Sequence, residues 1–186
     1  MTRIQTIGYG EAEGRLKEIY DGLIGQRGKL AAVHTIQSLR PESIRHHMDM
    51  YMGIMFSPSE LSRAEREMMA VVVSGANGCS YCQRHHAEAL NHYWKDEDKT
   101  NRLMQDAAPG FLSAREHALC QYARLLTLEP HAHEANDHTR ALKGVGLEDA
   151  GILDATLVVA YFNFVNRIVL SLGVELEDDD GKGYAY

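Results

Sequence analysis

The sequence is short of cysteine, of cationic charge and of long apolar runs, and each shortage excludes something. Three cysteines in 186 residues are too few, and odd in number, for a disulfide framework. Lys and Arg total 19 against 26 Asp and Glu, a formal charge of −7 and a pI near 5.8. Nucleic-acid binding begins with a cationic surface that displaces counterions from phosphate, so no nucleic-acid partner is expected. The longest apolar stretch, around Ala155 to Ala160, is broken by Asn163, Asn166 and Arg167. It falls short of the roughly 20 residues that cross a bilayer, so no membrane span is expected. Met1-Thr-Arg-Ile-Gln-Thr-Ile-Gly lacks the apolar core of a signal peptide, and the expectation is a cytoplasmic protein. No segment combines strict alternation with clustered β-branched residues, which leaves no credible sheet.

What is present reads as one compact, all-α, multi-helix domain. Hydrophobic residues make up 45% and charged residues 24%, enough apolar mass for a chain of this length to bury a core. Helical spacing runs from Glu11 to Leu23 and from Pro41 through Met55, proline suiting a first helical turn. Ser62 with Glu65, and Ser113 with Glu116, form two capping boxes. The first opens a helix over about Arg63 to Ser74 and the second a helix with Leu119, Tyr122, Ala123 and Leu126 inward. Gly75, Asn77 and Gly78 separate the first from a helix over about Cys79 to Tyr93. The polar stretch Lys95 to Gln105 reads as a connection, Glu134 to Lys143 as one short helix, and Glu148 to Leu172 as the most apolar and central helix. The domain therefore spans residues 1–173, and residues 174–186, with the run Glu175-Leu-Glu-Asp-Asp-Asp180, read as a solvated acidic tail.

Chemistry concentrates at Cys79-Ser-Tyr-Cys82-Gln-Arg-His85-His86. A thiolate is the nucleophile, and a thiol at neutral pH is mostly protonated, so a working cysteine needs help. A helix N-terminus favours negative charge there. Cys82 and His86, four apart, share a helix face, so that an imidazole can take or return the thiol proton. Cys79 and Cys82, three apart, can close into a disulfide and give a two-electron couple. Two other readings stay open: half of a zinc site completed by His85, His86 or His92, and helix cysteines without a role. Cys120 has no such company and reads as a packing residue.

Glu67, eleven intervening residues, Cys79-x-x-Cys82 and then x-x-x-His86 resembles the signature of the alkyl hydroperoxidase D-like group in the carboxymuconolactone decarboxylase superfamily. Leu61-Ser-x-x-Glu-Arg-Glu67, Val73-Ser-Gly-Ala-Asn77-Gly-Cys79 and Ala160-Tyr-Phe-Asn163-Phe-Val-Asn166-Arg167 are similar to its peroxidase-related branch. The resemblance implies an oxidoreductase acting on a hydroperoxide, without bound cofactor or metal and recycled by a dithiol electron donor. In it, Cys82 becomes the sulfenic acid, Cys79 resolves it as a disulfide, and Glu67 and His86 relay protons. It further implies a homo-oligomer, a trimer or hexamer. The best-studied branch has histidine just before the second cysteine, where this chain has Tyr81. A lactone decarboxylase of the same superfamily, which needs no cysteine pair, and a non-catalytic redox-sensing or metal-binding module are the alternatives. On residues alone Glu67 would be a surface carboxylate and His85 a surface or interface residue, while Asn163, Asn166 and Arg167 suggest a structural or oligomer-forming role.

Overall fold

The computed structural model describes residues 2–179 and 182–183; residues 180, 181 and 184–186 of the tail expected at 174–186 lie outside the described residues. Among the described residues every regular element is a helix: α1 (Gly14–Arg27), α2 (Ala32–Thr35), α3 (Pro41–Phe56), α4 (Arg63–Ala76), α5 (Ser80–Trp94), α6 (Glu97–Gln105), α7 (Ala114–Leu128), α8 (Ala132–Ala135), α9 (Thr139–Gly144) and α10 (Asp149–Leu172). The all-helical expectation holds.

Local chemistry sets the boundaries. Both capping boxes form, Ser62 with Glu65 at α4 and Ser113 with Glu116 at α7, so two orphan amides at each helix start are satisfied by side chains. Three expectations are corrected. Lys95 to Gln105 is not merely a connection, because Asp96 caps the amide of Lys99 and Thr100 and Leu103 bury one face, which makes α6 a helix. The single short helix expected over Glu134 to Lys143 is two pieces, α8 and α9. The four-residue α2 was not anticipated.

The innermost helix is α4, not α10. Every residue from Arg66 to Ser74 is buried, and α4 lies against α5, α7 and α10. Sequence reading favoured α10 because it is the more apolar of the two, whereas α4 opens with Arg63, Glu65, Arg66 and Glu67, of which Arg66 and Glu67 are buried. Among the described residues α10 is, by length and composition, long and apolar enough to cross a membrane, a possibility the expectation of no span passed over. In this fold one face of it, with Ile152, Ala155, Val159, Phe162 and Val169, is core, and another leaves Leu153, Leu157 and Phe164 exposed. A smaller cluster joins α1 to α3 through Leu16, Tyr20, Leu23, Ile44 and Met48. The start of the expected tail is partly held against the fold: Val174 is buried and Glu177 is held by side-chain and backbone hydrogen bonds, while Glu175 is exposed.

Candidate active site

The turn between α4 and α5 places the two sulfurs. Gly78 takes φ of +67°, a left-handed conformation that L side chains adopt only with strain, and the Cys79 amide then donates to the Ser74 carbonyl at 2.8 Å. Cys79 is the N-cap of α5, and Cys82 stands three residues into it. Both are free thiols, 1% and 2% exposed. They share a hydrogen bond, which lowers the proton affinity of Cys79; that same bond and burial push Cys82 well up. The pair gives up its first proton more readily than a lone buried thiol and holds the second tightly, since one S–H donates to the thiolate beside it. Cys120 lies apart in the core, its thiol pushed up to about 12 by burial, as a packing residue should be.

One helical turn after Cys82, His86 begins a line of polar and charged groups. Glu67, fully buried, accepts from His86 Nδ1 at 2.6 Å through one oxygen and from Arg63 Nε at 3.0 Å through the other. Burial would raise the Glu67 carboxyl, but the charges and hydrogen bonds of His86 and Arg63 outweigh it and hold the group below the usual range, as a carboxylate. Arg63 is itself fixed by the Met55 carbonyl at 2.8 Å, the Tyr51 hydroxyl at 3.1 Å and the Phe56 ring 3.7 Å from its guanidinium carbon. The surface-carboxylate reading of Glu67 is thereby overturned. With its Nδ1–H committed to the carboxylate, a neutral His86 keeps its Nε2 lone pair as a base. Of the four residues singled out in the sequence, Glu67 pairs with His86, Cys79 with Cys82, and Cys82 and His86 line one pocket. Arg63 and Tyr51 were missed, although Arg63 and Glu67 are an i,i+4 pair that could have been noticed.

The polar residues of α10 have partners. Asn166, fully buried, accepts from Asn77 Nδ2 at 2.9 Å and donates to Ser74 Oγ at 3.2 Å, and its side chain also reaches Cys82. Asn163 accepts from the same Asn77 amide at 3.1 Å and from Arg167 at 2.8 Å. These bonds tie the Cys79 turn to α10, a positioning role within the chain.

His85 is not a surface residue. Its ring stacks on Tyr81 with centroids 4.2 Å apart, Nδ1 donates to the Tyr81 carbonyl at 2.9 Å, and Nε2 is 3.0 Å from Glu177. Glu177 also accepts from the Tyr81 hydroxyl at 3.0 Å and the Ala32 amide at 2.8 Å. Burial would raise Glu177, yet its bonds to His85 and Ala32 hold it at about 2. Tyr81, where the resembling branch has histidine, thus fastens the segment after α10 across the start of α5.

Beside Cys82 lies a pocket of about 90 Å³, walled largely by apolar surface and also by His86, Tyr81, His34, His47 and Tyr161; Cys79 is not part of its wall. Access therefore distinguishes the two sulfurs. Among the described residues no group of three or more His, Cys, Asp or Glu is arranged to hold a metal ion.

Residues 41–125 match the carboxymuconolactone decarboxylase family. The chain is 24% identical over 142 residues to the protein YdfG of Bacillus subtilis, covering 73% of this chain and 90% of that one. Its fold is that of an alkylhydroperoxidase AhpD core, a peroxidase-related protein from Ralstonia eutropha JMP134. The TM-score is 0.86 at 22% identity, over 97% of this chain and 94% of that one. It is similar as well to a variant of the debrominase Bmp8 in complex with 2,3,4-tribromopyrrole, TM-score 0.80 at 17% identity, over 97% and 94% of the two chains.

Proposed function

Since residues 41–125 belong to the carboxymuconolactone decarboxylase family, in a chain with the alkylhydroperoxidase D fold, we propose that the protein is a thiol-dependent hydroperoxide reductase. The observation that supports this reading is that Cys82 and His86 line one pocket, and that His86, Glu67 and Arg63 form a hydrogen-bonded line. His86 Nε2 takes the Cys82 proton, and the buried carboxylate of Glu67 stabilises the imidazolium that forms and fixes the ring. The thiolate attacks one oxygen of the hydroperoxide: an S–O bond forms, the O–O bond breaks, and the alcohol leaves with the proton that His86 returns. Cys79 then attacks the sulfenic sulfur, water leaves, and the disulfide is reduced by an external dithiol, which takes the oxidising equivalents. The reaction needs no bound cofactor.

The test is peroxide consumption with a dithiol reductant in the parent protein, Cys82→Ser and Cys79→Ser. Both variants are expected to lose turnover, and Cys82→Ser alone to lose the first oxidation step; full activity in both excludes the mechanism. A lactone decarboxylase would keep its activity in both variants, and a redox sensor would form the disulfide reversibly without turnover.

A second reading is favoured by the likeness to Bmp8. A bromine on an electron-rich ring takes the place of the peroxide oxygen: Cys82 sulfur bonds to bromine, the ring carbon takes a proton, and Cys79 displaces bromide to leave the same disulfide. Bromide release from a bromopyrrole, stoichiometric with disulfide, distinguishes it.

A homo-oligomer is part of the proposal, supported by the exposed Leu153, Leu157 and Phe164 on one face of α10. Light scattering after size exclusion tests it, with a monomeric mass as the contrary result. The dithiol donor and a cytoplasmic setting go with the proposal, because a reducing compartment supplies such donors.

A further inference from the structure

Two buried histidines and two tyrosines in the pocket wall are unused by the mechanism above, and their hydrogen bonds fix where one proton points. Gln37 Nε2 donates to the Val33 carbonyl at 2.8 Å and also lies 2.8 Å from His47 Nδ1. The amide cannot be turned over, because its oxygen would then face the Val33 carbonyl oxygen. Gln37 is therefore the donor and His47 Nδ1 the acceptor. His47, 4% exposed, is held neutral by burial, at about 4. Its one proton consequently sits on Nε2 and is donated to the Tyr161 hydroxyl oxygen, 2.7 Å away. The hydroxyl's own hydrogen has no acceptor among the described residues. Tyr161 lies in the wall of the pocket that Cys82 enters, and its phenol feels the charge of Cys82. Of the other phenols in that wall, Tyr81 donates to Glu177 and Tyr51 accepts from Arg63 Nη2 at 3.1 Å, on the side of the buried carboxylate rather than under the His47 relay. His34 Nδ1, buried and without a hydrogen-bond partner, belongs to the same wall, so the pocket holds polar atoms that the protein itself does not satisfy.

We infer that Tyr161, aimed by the relay Gln37–His47, is a catalytic hydrogen-bond donor to the oxygen that leaves when Cys82 attacks. This deepens the proposed hydroperoxide reductase reading and rests on it. As the O–O bond breaks, negative charge grows on the alkoxide oxygen, and a donor fixed in a water-poor pocket stabilises that charge without reorganising. Burial and the nearby negative groups keep the phenol protonated, so it is a donor throughout the working pH range. The proton that ends on the alcohol is still the one His86 took from Cys82; Tyr161 supports the transition state and keeps its own.

The experiment measures Cys82 oxidation in single-turnover stopped flow with the parent and Tyr161→Phe, using tert-butyl hydroperoxide, a poor leaving group, and a perbenzoic acid, a good one. Tyr161→Phe is expected to slow the first by roughly tenfold to hundredfold and the second by much less, steepening the dependence on leaving-group basicity. Alkylation of Cys82 by iodoacetamide, which expels no oxygen, should change by less than about threefold on the same reasoning. An equal loss on both peroxides and on alkylation would mean a structural role and overturn the inference, as would no loss at all. If the parent oxidises with neither peroxide, the hydroperoxide reductase reading fails first and takes the inference with it. Should Tyr161→Phe fail to fold, replacing Tyr161 with 3-fluorotyrosine keeps the hydroxyl and strengthens it as a donor. The poor leaving group should then react faster, and an unchanged rate counts against the inference.

Discussion

Replacing Glu67 with glutamine tests the line of His86, Glu67 and Arg63 at its most constrained point. Arg63 offers only N–H groups to Glu67, at 3.0 Å from Nε and a shorter approach from Nη2. In Glu67→Gln the amide oxygen must stay facing Arg63, so its NH2 turns to His86 Nδ1, now bonded at 2.6 Å as a donor to the carboxylate. Nδ1 is forced to accept, the proton moves to Nε2, and the base facing the pocket is gone. General base catalysis of this kind is worth on the order of 10² to 10⁴ in rate, and a loss in that range is expected for both Cys82 alkylation and peroxide reduction. Stability falls too, because the Arg63 guanidinium, with its side chain 13% exposed, loses its counter-charge. Breaking a buried pair costs about 3–5 kcal/mol, and the lower end applies because Met55, Tyr51 and the glutamine oxygen still hold Arg63. For a chain of this size about 3 kcal/mol lowers Tm by roughly 6–12 °C. Calorimetry and stopped-flow alkylation read the two effects, and nitrogen NMR of the imidazole reads the tautomer. A folded Glu67→Gln with reactivity within about threefold of the parent would refute the tautomer argument, on the same scale of general-base effects.

Acid should destabilise the protein from below neutrality, because burial holds His34 at about 3 and His47 at about 4. Folded values below the unfolded 6.5 mean stability that is complete above about pH 6.5 and lost as pH falls toward those folded values, about 3 kcal/mol for His47 alone at one pKa unit per 1.4 kcal/mol. Unfolding midpoints from pH 8 to pH 4 test this, and His34→Leu should flatten the curve; a parent midpoint that stays constant across that range would contradict it. Gly78→Ala puts a side chain at φ +67° and should cost about 1–2 kcal/mol, read by chemical denaturation together with slower Cys79–Cys82 disulfide closure. Asn166→Ala leaves the buried Ser74 Oγ without its donor and Asn77 Nδ2 with Asn163 alone, an expected loss of about 1–3 kcal/mol, checked by the denaturation midpoint. Cys120→Ala should leave peroxide turnover unchanged within error, since that thiol is pushed up to about 12 and lies outside the pocket wall.

The sequence by itself determined whatever depends on neighbours along the chain. Capping boxes, Pro41 at a helix start, Cys79 and Cys82 at the first turn of α5, and the shared face of Cys82 and His86 all follow from the helical repeat, and all are found where they were read. It was misled where tertiary burial overrides local signal. The innermost α4 opens with charged residues that look solvated although Arg66 and Glu67 are buried, α6 is polar yet held by its cap, and the acidic residues after α10 look solvated although Glu177 is clasped by Tyr81, His85 and Ala32. Tertiary structure alone decided which distant side chains meet. His86 reaches Glu67 because α5 doubles back on α4, and Tyr161 reaches His47, 114 residues away, because α10 packs against α3. The helical repeat relates residues only three or four apart, and contacts across that distance depend on how whole helices pack.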